Sequence, residues 1–134
     1  MEPTKVVLHY SDGRILKGFT QNFFPNKPAF HFQPLDAGNP VQQVEVKVKD
    51  LKGVFFVKDF GGNPAYKEKK NFPEGIQVSG KKVEVIFKDG ETLIGSTLGY
   101  DSNRSGFFFF PSDSKWNLIR VYIVSQSVSK VRNL

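Results

Sequence analysis

Residues 82–111 read KVEVIFKDGETLIGSTLGYDSNRSGFFFFP. Val83, Val85 and Phe87 recur at every second position against Glu84 and Lys88, the period of a strand with one buried face. Lys88, Asp89, Gly90 and Glu91 carry the Asp-Gly chemistry of a tight hairpin turn. A second strand is predicted from Thr92 to Tyr100, and Gly95 inside it marks a sharp bend or a close backbone approach. Asp101 to Ser105 form the next turn, and Phe107 to Phe110 make a short apolar run closed by Pro111. Leu118–Val124 and Val128–Arg132, separated by Ser125, Gln126 and Ser127, supply two more strands.

The same grammar occurs earlier in the chain. Residues 5–34 read KVVLHYSDGRILKGFTQNFFPNKPAFHFQP, and a shift of 77 lays residues 5–54 on 82–131 without a gap. Fourteen of the 50 pairs are identical, among them Asp12/Asp89, Gly13/Gly90, Gly18/Gly95, Asn26/Asn103, Phe32/Phe109 and Pro34/Pro111. Composition alone would give roughly three, so the chain reads as an internal duplication. The strands expected in the first copy are Val6–Tyr10, Ile15–Phe23, Ala29–Pro34, Val41–Lys49 and Gly53–Lys58. The expected organisation is therefore a first unit over 1–58, a partly packed linker over 59–80 and a second unit over 81–134. The linker combines Gly61, Gly62, Asn63 and Pro64 with the charge run Lys67, Glu68, Lys69 and Lys70, which is turn chemistry followed by a solvated segment.

Five short strands joined by hairpin-length turns imply an all-β unit, a small and strongly bent antiparallel sheet or barrel. A unit of that size buries only about 60% of its unfolded surface, so each copy should lean on something else. Four consecutive phenylalanines must point to both faces of a strand. Phe108 and Phe110 are accordingly expected to pack against the sister copy or to form an interface.

The second copy resembles the Sm-like fold, the family of the Sm proteins and the bacterial RNA chaperone Hfq. Val83, Val85, Phe87, Lys88, Asp89, Gly90, Leu93, Gly95, Tyr100 and Asp101 follow that family's first motif. Val121, Tyr122, Ile123, Ser127, Val128 and Val131 look like the second. The resemblance implies two tandem five-stranded Sm-like β-barrels that assemble through strand edges, with RNA as a ligand of some members. The chain departs from the RNA-binding pattern: Ser105 stands four positions after Asp101 with Asn103 displaced, and the Arg-Gly pair of the second motif is replaced by Val124 and Ser125, and by Lys49 and Asp50 in the first copy. Residues 49–63, KDLKGVFFVKDFGGN, also resemble an uncharacterised bacterial domain.

Composition bounds the chemistry. The 134 residues are 39% hydrophobic and 24% charged with no cysteine, which excludes disulfide and thiolate-metal sites and argues against a disordered or membrane class. The opening Met1-Glu2-Pro3-Thr4-Lys5 has no apolar run of signal-peptide length, so a cytoplasmic protein is expected. The two histidines, His9 and His31, align with Ile86 and Phe108, ordinary strand positions, so neither a metal nor a general base is expected. No paired carboxylates, phosphate-cradling Gly-rich loop or nucleophile elbow is present. The expected function is a non-enzymatic binding or assembly module without cofactors, acting by self-association or on a protein partner.

Nucleic acid is the alternative ligand. The net charge of +6 divides as +3 in 5–54, +2 in 55–81 and +1 in 82–131, spread rather than concentrated in one stripe. The candidate contacts are Asn26 and Lys27, their counterparts Asn103 and Arg104, and Lys47, Lys49 and Lys52. A third reading rests on residues 100–106, which resemble the acid-x-Ser-x-x-Gly signature of PilZ domains that bind cyclic di-GMP. Asn103 occupies the serine position, and no Arg-x-x-x-Arg precedes it.

Overall fold

The computed structural model describes residues 4–35, 43–62, 66–67, 72, 78, 80–101, 103–113 and 115–134. Over them the chain is all-β. Ten antiparallel strands form one open sheet: β1 Thr4–Tyr10, β2 Ile15–Thr20, β3 Ala29–Pro34, β4 Val44–Lys47, β5 Leu51–Val57, β6 Lys81–Phe87, β7 Thr92–Thr97, β8 Gly106–Pro111, β9 Leu118–Val124 and β10 Val128–Asn133. Single 3-10 turns at Val48–Asp50 and Ser125–Ser127 link β4 to β5 and β9 to β10. The strand order is β10-β6-β7-β8-β9-β5-β1-β2-β3-β4, so β10 and β4 are the edges.

Every pairing inside the first five strands recurs among the second five at the same register, shifted by 77. Val6 opposite Gly18 becomes Val83 opposite Gly95, and Val6 opposite Phe56 becomes Val83 opposite Asn133. Gly18 opposite Pro34 becomes Gly95 opposite Pro111, and Phe30 opposite Val46 becomes Phe107 opposite Ile123. The turns repeat too. Gly13 and Gly90 sit at φ +97° and +95°, a left-handed conformation that glycine adopts without a Cβ penalty. Asp12 Oδ1 accepts from the Arg14 amide at 3.0 Å, and Asp89 Oδ1 from the Glu91 amide at 2.9 Å.

Several strand limits differ from the sequence expectation. β2 and β7 stop at Thr20 and Thr97 rather than at Phe23 and Tyr100, because each threonine hydroxyl turns to a carbonyl of the next strand, His31 O at 2.9 Å and Phe108 O at 2.8 Å. β4 ends at Lys47, since Val48–Asp50 winds into a 3-10 turn, and β5 starts at Leu51 instead of Gly53. Val41 and most of the expected linker, including Asn63, Pro64, Glu68, Lys69 and Lys70, lie outside the described residues.

The halves are joined by β9 pairing with β5, Val54 opposite Tyr122 and Phe55 opposite Val121. Because successive side chains of a strand point to opposite faces, these joint strands feed two cores. Val6, Leu8, Val54 and Phe56 pack with Phe30, Phe32, Val46 and Leu51, and Tyr122 and Val124 join them from the second half. Val83, Val85, Phe87, Leu93, Phe107, Phe109, Val121 and Ile123 form the other core, which takes in Val7 and Phe55 from the first half. Arg120 lies over the rings of Phe56 (4.5 Å) and Phe108 (4.6 Å), a cation-π contact across the joint.

Lys52 adds a charged clasp. Its ammonium donates to Asp89 Oδ2 at 2.7 Å and to Glu91 Oε1, and it lies 4.5 Å from the centre of the Phe87 ring. Burial opposes its charge, but the bonds to the two carboxylates outweigh that and raise its pKa, while the bond from Lys52 and the Glu91 amide lower that of Asp89. His9, its ring tilted against that of Phe55 with centroids 4.1 Å apart, is held below its ordinary 6.5 by burial and then by the Lys52 charge. A group with a depressed native pKa contributes stability above its unfolded value and loses it as pH falls through the native one. The melting temperature should therefore fall as pH drops below 6.5, and again below 3.8 as Asp89 is protonated. His9→Ile, which installs the residue of the second copy, should remove the first of these steps in a thermal-melt series against pH.

Candidate functional site

The turns at one end of the two halves meet around a cleft of about 750 Å³. The first half contributes Pro25 to Pro28 from the β2–β3 connection, Ala29 from the start of β3, Glu45 and Lys47 from β4, and Val48 and Lys49 from the 3-10 turn. The second half contributes Arg104, Ser105, Val124, Ser125 and Gln126. The walls are tied by a repeated bond: the Val48 amide donates to Pro28 O at 2.9 Å, and the Ser125 amide to Ser105 O at 2.8 Å. Two contacts lock the halves against each other here. Gln126 Nε2 donates to Lys49 O at 3.1 Å, and the buried Tyr122 hydroxyl pairs with Ser105 Oγ at 3.1 Å and donates to Pro25 O at 3.4 Å. The cleft thus exists only because the halves pack against each other.

Five of the seven candidate contacts expected from the sequence come together in this place: Asn26, Lys27, Lys47, Lys49 and Arg104. The four cations are exposed, and none is in an ion pair among the described residues. Glu45 is the one carboxylate among the described residues lining the cleft. Between the charges, Pro25, Pro28 and Ala29 present apolar surface, with the buried Val48 and Val124 behind them. Such a combination of a few polar groups on mostly apolar walls suits a small or extended ligand with negative charge.

The other candidates lie elsewhere. Asn103 is exposed in the Asp101–Arg104 turn, where its amide donates to Asp101 Oδ1 at 2.9 Å, and it does not line the cleft. Lys52 is only 9% exposed, so the Lys47–Lys52 stretch is split: two lysines open to the cleft and one is committed to the joint. Phe108 is half-buried against the first half's core, edge-on to Phe23 (6.5 Å) and Tyr122 (5.2 Å), whereas Phe110 is 36% exposed. His31 pairs with Asn22 in the β2–β3 region, Nδ1 to Nδ2 at 3.0 Å. Among the described residues no three His, Asp or Glu side chains are grouped so as to hold a metal ion, and no helix is long and apolar enough to cross a membrane.

Sequence reasoning did not place Ser105, Ser125 and Gln126 among the candidate contacts, since they carry no charge and entered only as turn residues or as departures from a motif. The alignment of copies held the one usable signal, since they face Pro28, Val48 and Lys49 across the shift of 77. Ser125 is unusual in that its buried Oγ has no hydrogen-bond partner among the described residues. An unsatisfied buried hydroxyl costs about 1–3 kcal/mol. Ser125→Ala is thus expected to be neutral or to stabilise the protein by up to about 1 kcal/mol in urea unfolding, where most buried substitutions destabilise.

A family model described as a family of unknown function, DUF6982, matches residues 2–134, and the chain belongs to that family. No curated protein and no solved structure matches the chain.

Proposed function

We propose that the protein is a non-enzymatic binding module, two Sm-like five-stranded barrels in tandem, that holds single-stranded nucleic acid across the cleft between its halves. One observation carries the ligand class: Lys27, Lys47, Lys49 and Arg104 surround a single cleft and have no carboxylate partners among the described residues, which leaves their charge accessible to an anionic ligand. Phosphates repeated along a chain fit four cations spread over both halves better than one small anion does. The tandem-barrel reading is supported by the common register of the two halves and by the close backbone approach that Gly18 and Gly95 both allow to the next strand.

The test is fluorescence anisotropy with mixed-sequence RNA and DNA oligonucleotides over a series of salt concentrations. Each phosphate contact to a single strand contributes about −0.7 to the slope of log K against log salt. About four contacts predict a slope near −3, which means roughly a 50-fold loss of affinity for a four-fold rise in salt. Lys47→Ala with Lys49→Ala should reduce the slope by about 1.4 and leave the fold unchanged, because both side chains are exposed. No binding of either oligonucleotide at low salt would exclude this function.

A further inference from the structure

We propose that the mating surfaces of the two halves fit only each other, so that the chain is a self-terminated pair whose outer edges accept no further copy. Edge pairing between chains is the obvious route to an oligomer, and it is what the sequence suggests. β9 is the fourth strand of the second half and β5 the fifth of the first. The free edges, β4 and β10, are strands of the same two kinds, so β4 of one chain could in principle lie on β10 of the next as β9 lies on β5.

The residues at equivalent positions argue against it. On β5, Val54, Phe55 and Phe56 are 0%, 6% and 4% exposed against β9. Their counterparts on β10 are Val131, Arg132 and Asn133, the last two exposed. On β9, Val121 and Tyr122 are buried, while their counterparts on β4 are Val44, 40% exposed, and Glu45.

One cross-strand pair makes the specialisation plain. In the first half Val7 lies opposite Phe55, and both insert into the second half's core. At the same register of the second half Glu84 lies opposite Arg132, and the two form an ion pair at 2.9 Å. Covering that pair with an apolar neighbour would strip its solvent, a desolvation penalty that opposes pairing. The clasp is not repeated either: Lys52 becomes Ser129, and the carboxylates it holds, Asp89 and Glu91, become Asp12 and Arg14, which bond each other at 2.9 Å. β4 is moreover only four residues long. Short edge strands bearing charged side chains are how natural sheets avoid pairing with another chain.

Light scattering on the native full chain from micromolar to millimolar concentration tests this, together with the variant Glu45→Tyr/Glu84→Val/Arg132→Phe, which places joint-type residues on both edge strands and on β6 beside β10. The native chain should hold the mass of one chain, 15.2 kDa, throughout. The folded variant should associate at least about ten-fold more tightly. A native mass that grows with concentration overturns the proposal by itself, whether or not the variant folds. A folded variant that stays single overturns the claim that these replacements are what close the edges. Neither outcome bears on the salt dependence of nucleic-acid binding, so the two readings fail independently.

Discussion

Gly95→Ala should lower the melting temperature by roughly 10 °C or more, or prevent folding altogether. A Cβ at this position would lie 2.0 Å from Phe110 O and 2.6 Å from the tip of the Phe109 ring. The first of these contacts is with backbone held in the β7–β8 ladder, where Ser96 pairs with Phe110, so it cannot swing aside as a side chain could. Relief requires the strands to separate at this close approach, and Phe109, fully buried in the second core, would lose its seat. The cost belongs at or above the ~3 kcal/mol upper range for overpacking. Gly18→Ala should behave alike, with Gln33 O at 2.2 Å from the added carbon. Gly99→Ala is the control: nothing lies within 4 Å, and alanine there should be neutral or mildly stabilising. A native-like melt for Gly95→Ala would show that the β7–β8 ladder has slack that its close contacts deny.

Phe55→Ala is expected to cost about 3–5 kcal/mol, the usual range for truncating a buried phenylalanine. The informative part is where the loss falls. Phe55 is a residue of the first half whose ring fills the second half's core beside Val7, Val121 and Ile123. If the halves share their cores as described, denaturant unfolding of the variant stays a single transition at a lower midpoint, with the tryptophan signal of Trp116 in the second half moving together with far-ultraviolet circular dichroism. Two transitions, with only the first half weakened, would mean that the joint contributes little and that each half stands alone.

The strands were legible because their signals are local. Val83, Val85 and Phe87 alternate over a few residues, Asp-Gly appears at both first turns, and Gly18 and Gly95 stand at matching places, so period and turn chemistry suffice to place them. The repeat of the register follows from the repeat of those signals. Strand ends were less legible: nothing in the string shows that the Thr20 and Thr97 hydroxyls reach across to the next strand, since the carbonyl each meets is eleven residues away. The candidate site was half legible. Lys27, Lys47, Lys49 and Arg104 announced themselves by charge, whereas Lys52, close in sequence to two of them, could not be told apart from them until its carboxylate partners on the β6–β7 turn were seen.

By itself, then, the sequence determined an all-β chain of two like halves, because alternation, glycine placement and Asp-Gly turns act on neighbouring residues. Tertiary structure alone decided how the halves meet. The pairing of β9 with β5 brings together segments remote in sequence, and it is specified by burial on both strand faces at once, as Phe55 against one core and Phe56 against the other show. The cleft, the Lys52 clasp and the polar outer edges all follow from that one joint, since a side chain's role as core, ligand contact or solvated rim depends on what lies across from it.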